Sequence, residues 1–370
     1  EWTSWPIHTL FYDSLGNAFA KGELALQEPV NPELLTLENP YDPNQRKRNG
    51  VEFPMDYSLY NEKYYLYFGP VPALLVAALK ILGAGTVGDQ YPVFVGIVGL
   101  FLFQSLLIIY IRNRFFTDIP EWLVPPAIFF AGLILPFTRL LTDGRVYETA
   151  VSWGQFFFLA GLYFIVTTLG TNKSGWRYVL AGAFWALAIG SRITQALPVA
   201  FTSLMLAFFA LRTYLQTRSF AMFVFPLIRV ALPLILGVTA LGWYNWARFG
   251  DALETGFSYQ LSTPDLQGYR KVLFSPVYIL PNVYNYVAAP PKVNQEFPYL
   301  QSVRGNGHLL FPAIELPKVY YTRSMTGILY TSPFVVFAAL SVLAVPFLKK
   351  GFANAPEPVS DEDGYLLRWI

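Results

Sequence analysis

The chain has 370 residues, of which 54% are hydrophobic, 18% aromatic and only 14% charged, with a net charge of +2. A soluble domain carries about a quarter charged residues, so these long apolar blocks point to an all-α polytopic membrane protein. The small net charge and the lack of a basic patch argue against nucleic acid as a partner, and the absence of cysteine removes disulfides and thiolate metal sites.

Residues 1–63 are polar and rich in Pro, Asn and Glu. Helical spacing extends only from Ile7 to Leu26, where Leu10, Phe11, Leu15, Phe19 and Leu24 predict an amphipathic helix lying along a membrane surface. The chain starts at Glu1 without a methionine and ends on YLLRWI, which reads like the beginning of another apolar helix. The expectation is a longer parent with further membrane helices.

Tyr64 to Gly83, YYLYFGPVPALLVAALKILG, is greasy but broken by Gly69, Pro70 and Pro72. Its uninterrupted apolar run, Ala73 to Leu82, contains Lys80 and is about half of what a bilayer crossing needs. An interfacial or re-entrant segment is therefore predicted. The following GAGTVG, Gly83 to Gly88, formally fits G-x-G-x-x-G, yet it follows no strand and opens no βαβ unit. It reads as a flexible turn.

Crossings are predicted at Tyr91–Ile111, Trp122–Leu141, Ala150–Leu169, a short Tyr178–Gly190, Ala196–Leu211, Pro226–Trp243 and Gly327–Leu348. Arg112 and Arg114, Lys173 and Arg177, Arg212 and Arg218, and Lys349 and Lys350 then share one side, which the positive-inside rule makes cytoplasmic. This holds only if Tyr64–Gly83 does not cross. The expected layout is an external loop with interfacial helices over 1–90, about six helices over 91–243, an external aromatic and Pro-rich loop over 244–326, a crossing over 327–348 and a cytoplasmic tail over 349–370.

Ionisable groups avoid the middle of these crossings, which weakens a transporter reading. They gather on the outer side instead: Asp13, Lys63, Arg139, Asp143, Arg145, Glu148, Arg192 and Arg248. Arg192, in LAIGSRITQALP, stands between two short apolar helices. A guanidinium there needs a carboxylate such as Asp143 or Glu148, or the phosphate of a lipid. Thr138 to Glu148 packs Arg139, Asp143, Arg145 and Glu148 into one turn, which can hold a metal, orient a base or cap a helix. With only His8 and His308 in the chain, a divalent metal would have to sit on carboxylates.

Together these residues resemble the GT-C superfamily of membrane glycosyltransferases, which includes protein O-mannosyltransferases and lipid A aminoarabinose transferases. Phe68-Gly-Pro70-Val-Pro72 and Ala78-Leu-Lys80-Ile-Leu-Gly83 match its Pro-aromatic segment, Arg139 to Asp143 its Arg…Asp, and Gly190 to Pro198 its basic turn between short helices. The resemblance covers about residues 1–250. It implies a helical bundle with external juxtamembrane helices, and inverting sugar transfer from a polyprenyl-phosphate donor at the outer face of the cytoplasmic membrane. An external carboxylate would be the base, and Arg192, Lys63 and Arg139 would hold the lipid phosphate. The family's Asp-Glu pair, however, falls on Ile7-His8. Asp13 or His8 then serves as base, or catalysis is lost and the chain is a lipid-binding or scaffolding subunit beside other membrane subunits.

Overall fold

The computed structural model describes residues 7–133, 140–142, 144–168, 175–263, 266, 272, 275–297, 299–317, 320, 322–332 and 336. Two units divide the chain, Glu1–Pro264 and Asp265–Ile370. In the first, α1 (Phe11–Ala20), α2 (Pro32–Thr36), α3 (Pro43–Asn49), the hairpin β1 (Tyr57–Tyr60) and β2 (Lys63–Leu66), and α4 (Val71–Ile81) precede the long helices. These are α5 (Gln90–Phe115), a shorter α6 (Val124–Gly132), α7 (Val146–Val166), α8 (Trp176–Ser191), α9 (Ala196–Thr217) and α10 (Phe220–Phe249).

Four of them are long and apolar enough to cross a bilayer: α5, α7, α9 with its leading 3-10 turn, and α10. The 26 residues of α5 run about 39 Å. Neighbours pack in the order α6, α5, α7, α8, α10, α9. Small residues let the backbones close in. A Cβ on Gly96 of α5 would stand 2.5 Å from Ser152 Oγ of α7, and one on Gly182 of α8 would stand 2.1 Å from the Val230 carbonyl oxygen of α10. Outward, α9 and α10 show only apolar side chains along most of their length, with Leu204, Phe208, Leu232, Ile235 and Leu236 all exposed.

The bundle has two chemically different ends. At one, the starts of α5 and α7 meet the ends of α8 and α10, and α1, the hairpin and α4 pack there as a cap. Arg112, Arg114, Arg177 and Arg218 belong to the other end. Residues 250–263 return to the cap, where Leu261 bonds the start of β1: Asp56 N donates to the Leu261 carbonyl at 2.9 Å and Leu261 N to the Tyr57 carbonyl at 2.7 Å. Buried Tyr12, Leu15, Leu34, Leu59, Leu66, Val76 and Leu261 form the cap's core.

Several expectations change. The chain is mostly helical but not all-α, because Tyr57–Leu66 folds as a hairpin around Asn61-Glu62, both at positive φ. Tyr64–Gly83 is accordingly not one segment: it opens as β2 and continues, after Pro70, as an eleven-residue α4. The predicted surface helix shrinks to α1, which buries Tyr12, Leu15 and Ala18 against α4 instead of lying on a surface. The last crossing before the long loop runs on to Phe249, where Gly250 ends it in the left-handed region. The loop itself is partly regular. The second unit holds α11 (Ile279–Val287), the hairpins β3 (Lys292–Val293)–β4 (Leu300–Gln301) and β5 (Val303–Arg304)–β6 (Ser324–Met325), and α12 (Ile328–Thr331), and buried Asn285 of α11 accepts from Gly307 N at 2.8 Å. Most of the predicted 327–348 crossing and all of the 349–370 tail lie outside the described residues.

Candidate functional site

The cap is anchored by polar groups far apart in sequence. The first backbone N–H groups of a helix need acceptors, and α1 has no capping side chain of its own. Asp89, just ahead of α5, supplies them: Oδ1 accepts from Tyr12 N at 3.0 Å and Oδ2 from Phe11 N at 3.1 Å. Thr9 Oγ1 donates to Asp89 Oδ2 and accepts from Val146 N at 3.0 Å. Thr149 Oγ1 donates to the Asp89 carbonyl at 3.2 Å. These bonds tie the starts of α1, α5 and α7 together. Burial pushes the Asp89 carboxyl up, its three donors pull it back, and the nearby Asp13 charge raises it again.

One residue along, Tyr12 reaches across to donate to the Gly69 carbonyl at 3.2 Å. Gly69 must be glycine, since a Cβ there would stand 2.2 Å from the Gly190 carbonyl oxygen and 2.5 Å from that of Ser191. The Tyr67–Pro70 link is thus pressed onto the last turn of α8. Arg192 follows that turn in extended conformation, φ −153° and ψ 115°, breaking the helix before a 3-10 turn leads into α9.

At this corner the Arg192 guanidinium lies 4.3 Å from the centre of the Tyr147 ring, and its Nη2 donates to the Tyr147 hydroxyl at 2.6 Å. Nε donates to Thr194 Oγ1 at 3.1 Å. Among the described residues no carboxylate meets it. The Tyr12 and Tyr67 hydroxyls both feel its charge. Burial raises Tyr12 well above the usual phenol range, Asp89 and Tyr244 add to that, and Arg192 opposes it. Arg192 is partly exposed, Tyr147 is exposed, and Tyr67 is half-buried.

The acids and cations named from sequence do not all come here. Asp13 faces the α4–α5 corner. Its Oδ1 pairs with Lys80 Nζ at 2.5 Å and accepts from Val87 N at 2.7 Å, while Oδ2 accepts from Asn17 Nδ2 at 3.1 Å. Lys80 Nζ also donates to the Gly85 carbonyl at 2.6 Å. The GAGTVG turn is therefore clipped at its base by a buried ion pair. His8 is exposed just before α1. Lys63 is exposed beside the hairpin turn, opposite Tyr60. Glu148 sits in the first turn of α7, half-buried. Arg139 and Asp143 lie outside the described residues. No group of three metal-ligating side chains gathers among the described residues.

Arg248, named from the sequence only as one of the outer-side charges, is buried and holds the hairpin to the end of α10, donating to the Leu66 carbonyl and to Asn245 Oδ1, both at 2.8 Å, with the Tyr244 ring 3.8 Å away. Asp56 is a polar group that the sequence reading missed. It sits half-buried in the turn before β1 at φ +66°, and its Oδ1 accepts from buried Gln260 Nε2 at 2.7 Å. Burial raises its carboxyl above the ordinary range, with Gln260 opposing. The Tyr67 hydroxyl lies within hydrogen-bonding reach of the same Gln260. Burial chiefly raises that phenol; Asp56 and Tyr147 raise it further, and Gln260 and Arg192 lower it.

Comparison with protein-family models, with curated proteins and with solved structures finds no match to this chain.

Proposed function

We propose that this chain is an integral membrane protein whose Arg192 corner holds the phosphate of a polyprenyl-linked sugar, and that it acts as a GT-C-like inverting glycosyltransferase. The observation that carries the reading is a guanidinium that meets no carboxylate among the described residues, set among tyrosines where an apolar bundle ends. A cation at that depth is costly unless it meets an anion, and the planar Arg fork suits a phosphate.

The membrane part of the reading rests on the four long apolar helices and their exposed apolar flanks. Exposed Tyr91, Trp243 and Trp246 stand at the cap end, and exposed Trp122 and Trp176 at the other. Such aromatic belts mark the two interfaces of a bilayer. The arginines at the end away from the cap support an extracytoplasmic cap in the cytoplasmic membrane. At eleven residues α4 is about 16 Å long, too short to cross, and its exposed Leu74, Leu79, Ile81 and Leu82 suit a helix resting in the interface.

A second reading has its own support. The Asp13 carboxylate is consumed by Lys80, Val87 and Asn17, which favours a subunit that binds lipid without transferring sugar. The phosphate site is common to both readings. Its test is native mass spectrometry or a binding titration of the detergent-solubilised chain with undecaprenyl phosphate. Arg192→Ala is expected to weaken binding at least about tenfold, the loss of one charge-assisted bond or more, with Arg192→Lys intermediate. Unchanged affinity in Arg192→Ala would sink the proposal.

A further inference from the structure

We infer that α11, in the second unit, lies along the bilayer interface with its uncharged outer face against phospholipid. This placement needs the helical bundle to sit in a membrane, as read above, and nothing of what Arg192 holds. The helix falls outside the residues, about 1–250, over which the GT-C resemblance runs.

The polarity of α11 is reversed for a helix in water. On a soluble domain such a helix turns its apolar stripe inward and its polar face out. Here the inward face carries Pro281 and Asn285, both buried, with half-buried Asn282 beside them. Both amides are satisfied within the unit. Asn285 Oδ1 accepts from Gly307 N at 2.8 Å, and its Nδ2 donates to the Tyr320 hydroxyl at 3.3 Å. That hydroxyl donates in turn to Asn282 Oδ1 at 3.0 Å. The outward face is Ile279, Leu280, Val283, Tyr286 and Val287, with exposures from 39% for Val287 to 64% for Tyr286. Their spacing puts all five on one stripe. The inward bonds fix the rotation of the helix, so the stripe cannot turn in to bury itself. From Pro276 to Pro291 the sequence also has no charged side chain, unlike a solvated surface.

The course of the chain identifies what covers the stripe. The end of α11 is pinned to the start of the last apolar run. Gly327 N donates to the Ala289 carbonyl at 2.8 Å, and a Cβ on Gly327 would stand 2.5 Å from the Val287 carbonyl oxygen. Exposed Ile328, Leu329 and Tyr330 of α12 follow directly, and the sequence from Gly327 to Leu348 carries no charge. The stripe is thus held beside the point where the chain is expected to enter the membrane. At nine residues α11 is about 13 Å long, far short of a crossing, which suits a helix lying in the interface plane. Exposed Tyr286 and Tyr330 each offer an apolar ring and a polar tip, the combination favoured at that depth.

The test uses the full chain in phosphatidylcholine vesicles. It has no cysteine, so a single introduced one carries a unique fluorophore. Bimane is placed at Val283→Cys and Tyr286→Cys, with Ile235→Cys on α10 and exposed Glu296→Cys between β3 and β4 for comparison. The quenchers are phosphatidylcholine with a doxyl group high on the acyl chain, and aqueous iodide. Labels at Val283 and Tyr286 are expected to be quenched by the lipid at least about threefold more than at Glu296, and by iodide at least about threefold less. Leu280→Cys, on the same stripe, replaces either position whose label lowers the yield of folded protein. If Ile235 escapes lipid doxyl at every acyl depth, the membrane reading fails and the placement of α11 falls with it. If Ile235 is quenched by lipid while the α11 labels answer to iodide, α11 faces water and this inference alone is overturned. Labels shielded from both quenchers would mean that protein covers the stripe, either a second copy or another part of this chain, and would overturn it too.

Discussion

Two charged corners of the cap behave in opposite ways. At the α4–α5 corner, Asp13 and Lys80 meet each other, and two backbone groups and Asn17 use what capacity is left. At the α7–α8 corner, Arg192 has a phenol and a hydroxyl but no anion among the described residues. A satisfied buried pair gains little by meeting a ligand, whereas an uncompensated cation gains a great deal. The first corner therefore builds the cap, and the second is where a phosphate-bearing ligand has something to offer.

The sharpest way to break this contrast is at the closed corner. Asp13→Ala leaves the Lys80 charge buried without its partner, and is expected to cost about 3–5 kcal/mol in stability. Denaturant or thermal unfolding in detergent measures it. Asp13→Leu combined with Lys80→Met should restore most of the loss, because an apolar pair of similar size removes the desolvation cost too. If Asp13→Ala were neutral for stability, Asp13 would be a free acid and the comparison would collapse.

Next in size is the contact that builds the open corner. Gly69→Ala drives a Cβ into the Gly190 and Ser191 carbonyls, and overpacking of this kind costs about 1–3 kcal/mol. It should also move Tyr67 away from Arg192, so undecaprenyl phosphate affinity falls together with stability. A smaller effect is expected at the anchor shared by both corners. Thr9→Val removes the hydroxyl that serves Asp89 and Val146, leaving a helix N–H without its acceptor, at about 1–2 kcal/mol. Since Thr9 touches neither corner's charges, stability should drop while lipid phosphate affinity per folded molecule stays at the wild-type value.

How much of this was legible in the sequence depends on range. The helices α5, α7 and α10 announce themselves because an apolar run long enough to cross a bilayer needs no partner to be recognised. Arg192 was legible for a related reason, a lone guanidinium where two short apolar helices meet. The hairpin was missed although YSLY-NE-KYYL carries a two-residue turn with an asparagine at its first position. Its tyrosines were read as the start of a membrane segment, because aromatic residues suit both a strand and an interface. Asp13 was visible as an acid, but its pairing with Lys80 depends on α1 folding back along α4. Pro54 and Asp56 mark a turn in the sequence, but the glutamine that holds Asp56 arrives only after the bundle has been traversed.

The finest test lies at the open corner itself. Tyr147→Phe keeps the ring that Arg192 leans on and removes only the hydroxyl that accepts from Nη2. One hydrogen bond to a partly exposed group is worth about 0.5–1.5 kcal/mol, which corresponds to a change of about two- to tenfold in undecaprenyl phosphate affinity. The sign separates two uses of the tyrosine. If the hydroxyl aims the guanidinium at its ligand, the variant binds more weakly because the fork must be ordered at the moment of binding. If the hydroxyl merely occupies Arg192 in place of an anion, losing it leaves the cation less satisfied and binding tightens. Weaker binding is expected here, since the hydroxyl holds Nη2, one end of the fork, at 2.6 Å.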